Sequence, residues 1–99
     1  MSLQGQTVRI VVAEPFEWDY GNLFGTILSD RGGQKLKIKL TKIIKGKTFS
    51  SDIIELTPRF KDETFKPLTQ NYSVTVNGGL IKENSDDFDF IIIGNVTID

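Results

Sequence analysis

The chain has no cysteine and no histidine, and only three prolines, two tyrosines and one tryptophan among its 99 residues. Without cysteine there are no disulfides, no thiolate nucleophile and no thiolate zinc site. Without histidine the chain lacks the side chain that titrates near neutral pH unaided and that most often ligates metals. Catalysis would have to rest on a carboxylate, lysine or tyrosine tuned by burial. No Ser-His or Cys-His pair exists, and no two of the thirteen acids stand out as a glycosidase pair. The expectation is a non-enzyme with no catalytic residue, no metal and no cofactor.

No apolar run approaches the roughly 18 residues of a membrane span, and MSLQGQ lacks the basic and apolar regions of a signal peptide. The expectation is a cytoplasmic protein without a membrane partner. Apolar residues make up 38% and charged residues 25%, an ordinary globular balance. The length suits one domain with one core, residues 1–99, of which 1–5 are expected to be disordered or vector-derived.

What is abundant is alternation. Val8, Ile10 and Val12 alternate with Thr7 and Arg9, and Tyr72, Val74 and Val76 with Ser73, Thr75 and Asn77. Phe88, Phe90, Ile92, Val96 and Ile98 share one phase with Gly94, and Asp89, Asn95, Thr97 and Asp99 the other. Such a period of two describes half-buried antiparallel strands. Asp30-Arg31-Gly32-Gly33 reads as a hairpin turn, Lys45-Gly46-Lys47 as a second, Asn77-Gly78-Gly79 as a turn or bulge, and Asn84 to Asp87 as a polar turn. Residues 57–71 break the pattern. Thr57 and Pro58 suit a helix start, so a short helical insert is expected near 58–66, with Phe60, Phe65 and Leu68 against an open end of the sheet.

The fold expected is all-β: six mostly antiparallel strands in a small barrel or sandwich, buried at Val8, Ile10, Val12, Leu36, Ile38, Val74, Val76, Phe90, Ile92, Val96 and Ile98. Strands, a brief helical segment and further strands resemble the oligonucleotide-binding (OB) fold, in architecture and through no motif.

Three surface features carry functional readings. Residues 31–47 hold seven of the twelve basic residues and no acid. Arg31, Lys35, Lys37, Lys39 and Lys42 could track the phosphates of a single-stranded nucleic acid or another polyanion. Base-stacking aromatics are absent from that segment, with only Phe24 and Phe49 near it in sequence. The same lysines could protect an edge strand from pairing with another sheet, or meet the chain's own carboxylates, Glu14, Glu17 and Asp19 among them. The second feature is EPFEWDYGN, residues 14–22, where Phe16, Trp18 and Tyr20 alternate with acids; exposed, they would suit a partner protein, and buried, they would fill the core. The third is ENSDDFDF, residues 83–90, which lacks the EF-hand spacing and leaves only a weak cation site through Asp86, Asp87 and Asp89. Together these favour an interaction or assembly module with a protein partner or a second copy of itself, joined through an unpaired edge strand, and nucleic acid as the alternative.

Overall fold

The computed structural model describes residues 3–14 and 21–99. Six strands follow one another: β1 (Thr7–Glu14), β2 (Asn22–Ser29), β3 (Leu36–Lys45), β4 (Ser50–Pro58), β5 (Val74–Ile81) and β6 (Phe88–Ile98). Each pairs antiparallel with its neighbours in sequence, and β6 returns to β1, so the sheet closes into a barrel. Closure removes both edges. It also separates this chain from the OB fold, whose Greek-key strand order is not consecutive.

The alternation explains the barrel. Val8, Ile10, Leu23, Ile27, Leu36, Ile38, Ile54, Leu56, Val74, Val76, Ile92 and Val96 point inward and are buried, while Val12 and Ile98 pack against them partly exposed. A six-stranded barrel is narrow enough for its own side chains to fill. The side chain of Phe90, expected inside, lies outside the described residues.

Four register shifts bend the sheet. One extra residue stands in β1 at Ala13, in β2 at Leu28 and in β6 at Phe90, and four residues of β3, Leu40 to Ile43, face the single Asp52 of β4. The Phe90 bulge corrects the expected phase of β6. On its far side Asp89 turns inward and is buried, whereas Phe88 turns outward. Asn77-Gly78-Gly79 lies within β5 rather than in a turn, and the register with β6 shifts at the bulge just past Gly79.

Glycine spaces the ring at alternate seams. A Cβ on Gly25 of β2 would come within 3 Å of Lys39 of β3, one on Gly78 of β5 within 3 Å of Glu55 of β4, and one on Gly94 of β6 within 3 Å of Val11 of β1. In each case the nearest atom is a backbone carbonyl oxygen, which cannot swing away as a side-chain tip would.

The end that carries the β2–β3 connection is closed. At the β2–β3 end the connection is a 3-10 turn, Arg31–Gly33, with Arg31 itself in the left-handed region (φ 43°). The Leu3 amide donates to the Asp30 carboxylate at 2.7 Å and the Gly5 amide to the Ile27 carbonyl, so residues 3–5 are built into the domain and Leu3 is buried. The segment 59–73 folds over the same end and buries Phe65 and Leu68.

No helix forms at 58–66. Pro58 ends β4, and the segment makes isolated turns, with the Glu63 amide bonded to the Phe60 carbonyl and the Leu68 amide to the Phe65 carbonyl. The reason is local. The Phe65 amide donates to the Gly33 carbonyl at 2.8 Å, so it cannot join a helical ladder, and Pro67 has no amide to offer. Phe60, expected to be tucked in, is 55% exposed.

Candidate functional site on the outer face

Outward-facing positions form rows across the strands, set by the register. One row runs Thr26, Lys39, Ile53, Ile81, Phe88, and the next runs Lys37, Glu55, Gly79, Ile91. The face thus changes character within four strands: cationic on β3, anionic on β4, without a side chain at Gly79 of β5, and apolar on β6. Two strand spacings separate the Cα atoms of Glu55 and Ile91, about 10 Å, and the glycine at 79 contributes no side chain between them.

The result is an open groove of about 350 Å³ lined by Lys35, Glu55, Thr57, Asn77, Gly78, Phe88 and Ile91. Ile91 is 72% and Phe88 52% exposed, and they form its apolar wall. On the same face Ile53 and Ile81, in the row of Phe88, are buried yet stand outside the central core cluster. The polar wall is internally satisfied: Lys35 Nζ lies 3.2 Å from Glu55 Oε1, and Thr57 Oγ1 donates to Asn77 Oδ1 at 3.0 Å. A second trough of about 270 Å³ adjoins the first at Thr57, lined by Gln34, Pro58, Phe60, Lys61, Glu63 and Thr64.

Lys35, Lys37 and Lys39 do share the outer face, as the alternation requires, while Arg31 sits on the end turn and Lys42 in the β3 bulge. The edge-protecting role falls away, because β3 is paired on both sides. Among the described residues the internal-partner reading holds for Lys35, which meets Glu55, and for Lys39, whose Nζ lies 3.5 Å from Asp52 Oδ2. Phe24 is 40% exposed on the outer face of β2, two residues from Thr26, which pairs with Lys39. The aromatic segment with Phe16, Trp18 and Tyr20 lies outside the described residues, as do Glu17 and Asp19.

Asp89 has a structural task that sequence reasoning missed. Its Oδ2 accepts the amides of Thr48 (2.6 Å) and Phe49 (3.1 Å), tying β6 to the β3–β4 turn at the end of the barrel opposite Phe65. Burial pushes this carboxyl's pKa up, but the Thr48 and Phe49 amides, the Thr48 hydroxyl and the Lys47 amide outweigh it, and the net shift is down. A buried Asp89 cannot join Asp86 and Asp87, both exposed, in a surface cation site, and no cluster of three ligand-type side chains occurs among the described residues. An Asp two residues into a strand, just before an apolar run, is the one local hint of this role.

Fold and groove together define a small, closed, up-and-down β-barrel with a binding-sized depression on its outside. Comparisons with protein-family models, with curated proteins and with solved structures give no match. No helix among the described residues is long and apolar enough to cross a membrane.

Proposed function

We propose that the chain is a non-catalytic interaction module that engages a protein partner through the outer groove of β4, β5 and β6. The observation that carries this reading is the pair of exposed apolar side chains, Ile91 and Phe88, that wall an open groove together with Gly78. Large apolar side chains lining a concavity are the usual anchoring geometry of protein interfaces. The closed ring supports a face-docking mode, because strand addition needs an unpaired edge and the barrel has none.

The test is photo-crosslinking in the native host with a photoreactive residue at position 91, and at position 9 as the control. Arg9 is exposed on β1. One discrete protein crosslinked from position 91 and not from position 9 supports the reading. Identical patterns from both positions refute it.

A second reading, polyanion binding, is favoured by one feature, the exposed Phe24 beside the lysine stripe. It must overcome the ion pairs of Lys35 and Lys39, which phosphates would have to displace. Replacing Lys35, Lys37 and Lys39 with Gln should then flatten the salt dependence of single-strand binding by about two units, at about 0.7 per contact. Absence of binding at ~50 mM salt, well below physiological ionic strength, eliminates it.

A further inference from the structure

The strands across the ring from the groove carry a different surface. From Thr7 to Ala13 of β1, along β2 and along β3 there is no acidic residue, although the chain holds thirteen. The outward positions there include Arg9, Phe24, Lys37 and Lys39. Register fixes how they sit. Arg9 and Phe24 are direct partners across β1 and β2, and Thr26, two residues on, is the partner of Lys39. Directly opposed side chains start about 5 Å apart at Cβ, and diagonal neighbours lie within about 8 Å. Phe24, 40% exposed, therefore stands between an arginine on one neighbouring strand and a lysine on the other.

These cations are available. Arg9 and Lys37 make no ion pair among the described residues, and Glu55, the cross-strand neighbour of Lys37, is already bound by Lys35. Lys39 holds Asp52 at the surface, a kind of pair that contributes little and that a phosphate displaces readily. Cations set around an exposed aromatic ring match both halves of a nucleotide, the phosphates by charge and the base by its π face. An acidic peptide would use the cations and leave the ring unstacked, and a duplex would keep its bases from the ring.

We propose that the outer face of β1, β2 and β3 binds single-stranded nucleic acid, with one base stacked on Phe24 and neighbouring phosphates on Arg9, Lys39 and Lys37. This rests on the polyanion reading above, moves the centre of the site from the β3 lysines to β2, and adds the base to the phosphates. The track runs obliquely across the three strands. It shares no residue with the groove walled by Ile91 and Phe88.

The probes are two strands of equal charge, each roughly ten nucleotides long: oligothymidylate and an abasic deoxyribose-phosphate strand. Both are titrated against the full chain from ~50 mM salt upward. Oligothymidylate should bind at least about fivefold more tightly, the scale of one base stacked on an aromatic ring. Phe24→Ala should erase that difference and leave the abasic strand and the salt slope unchanged. Phe24→Leu, which keeps an apolar side chain without the flat ring, should lose as much. Arg9→Gln should weaken both strands and flatten the salt dependence by about 0.7. Phe60→Ala removes an exposed ring from the 59–73 connection and should change nothing. An unchanged circular dichroism spectrum confirms the fold of each variant.

Equal affinity for the two strands, with both Phe24 variants silent while the lysine variants flatten the salt slope, sinks the inference and leaves the polyanion reading standing. No binding of either strand sinks both. Polyglutamate that binds as tightly as oligothymidylate, and loses affinity on Arg9→Gln, overturns the inference in favour of an acidic protein partner.

Discussion

Replacing Phe65 with alanine tests whether the segment 59–73 belongs to the core or merely drapes over it. Phe65 is fully buried and packs in the central cluster although it comes from a stretch without regular structure. Removing a buried phenylalanine ring costs about 3–5 kcal/mol, from lost transfer energy and the cavity left behind. A domain of this size has a total stability of roughly 5–15 kcal/mol, so the variant should retain the fold with little to spare. At about 4–8 °C per kcal/mol the melting temperature should fall by roughly 12–40 °C. The assay is urea denaturation followed by circular dichroism, with Phe60→Ala as the matched control. Phe60 comes from the same segment and is mostly exposed, so its loss should change stability by about 0.5 kcal/mol or less. A Phe65→Ala cost below about 1 kcal/mol, or equal costs for both variants, would refute the claim that this segment plugs the barrel.

Three further outcomes follow from the same geometry. The lowered pKa of Asp89 means that its stabilisation is present above the ordinary carboxyl value of 3.8 and drains away as the pH falls below it. Asp89→Asn, with no charge to lose, should be less stable at pH 7 and show a shallower acid limb in pH-dependent melting. A steep limb in both proteins would point to other carboxylates. Gly94→Ala should destabilise by about 1–3 kcal/mol, because the new methyl meets the Val11 carbonyl. A neutral or stabilising result, as the lower chain entropy of alanine alone would give, contradicts the tight seam. A double-mutant cycle on Lys35 and Glu55 should return a coupling of about 1 kcal/mol or less, since the pair lies at the surface; several kcal/mol would mean a far drier groove.

The sequence was most informative where one rule acts alone. Alternation at Val8 to Val12 and Val74 to Val76 placed those residues inside, because a strand with one wet face permits no other arrangement. It misled at Asp-Phe-Asp-Phe, residues 87–90, where perfect alternation hides an extra residue. A bulge at Phe90 exchanges inside for outside, and nothing in the local pattern marks it. The helix expected after Thr57 failed for a similar reason: Pro58 suits a strand end as well as a helix start, and the Phe65–Gly33 contact that decides the matter joins residues far apart. The groove was invisible because it is made by registry. Glu55, Gly78 and Ile91 come from three strands and Lys35 from the residue before a fourth, and only the pairing lines them up. Closure itself is equally non-local, so the lysines of β3 read as edge protection in a chain that has no edge.

The glycine seams carry a further consequence, one of timing. They join β2 to β3, β4 to β5 and β6 to β1, and thereby divide the ring into three two-strand ribbons. Two of the three joints connect strands adjacent in sequence and can form as soon as their ribbons meet. The third sets Val8 against Ile98, about 90 residues away, and bringing such distant points together costs about 4 kcal/mol of chain entropy before any contact repays it. Until Gly94 seats against Val11, the assembly is an open sheet with its first and last strands bare and open to pairing with another molecule. The native ring has no edges, but every molecule must pass through a state that has two.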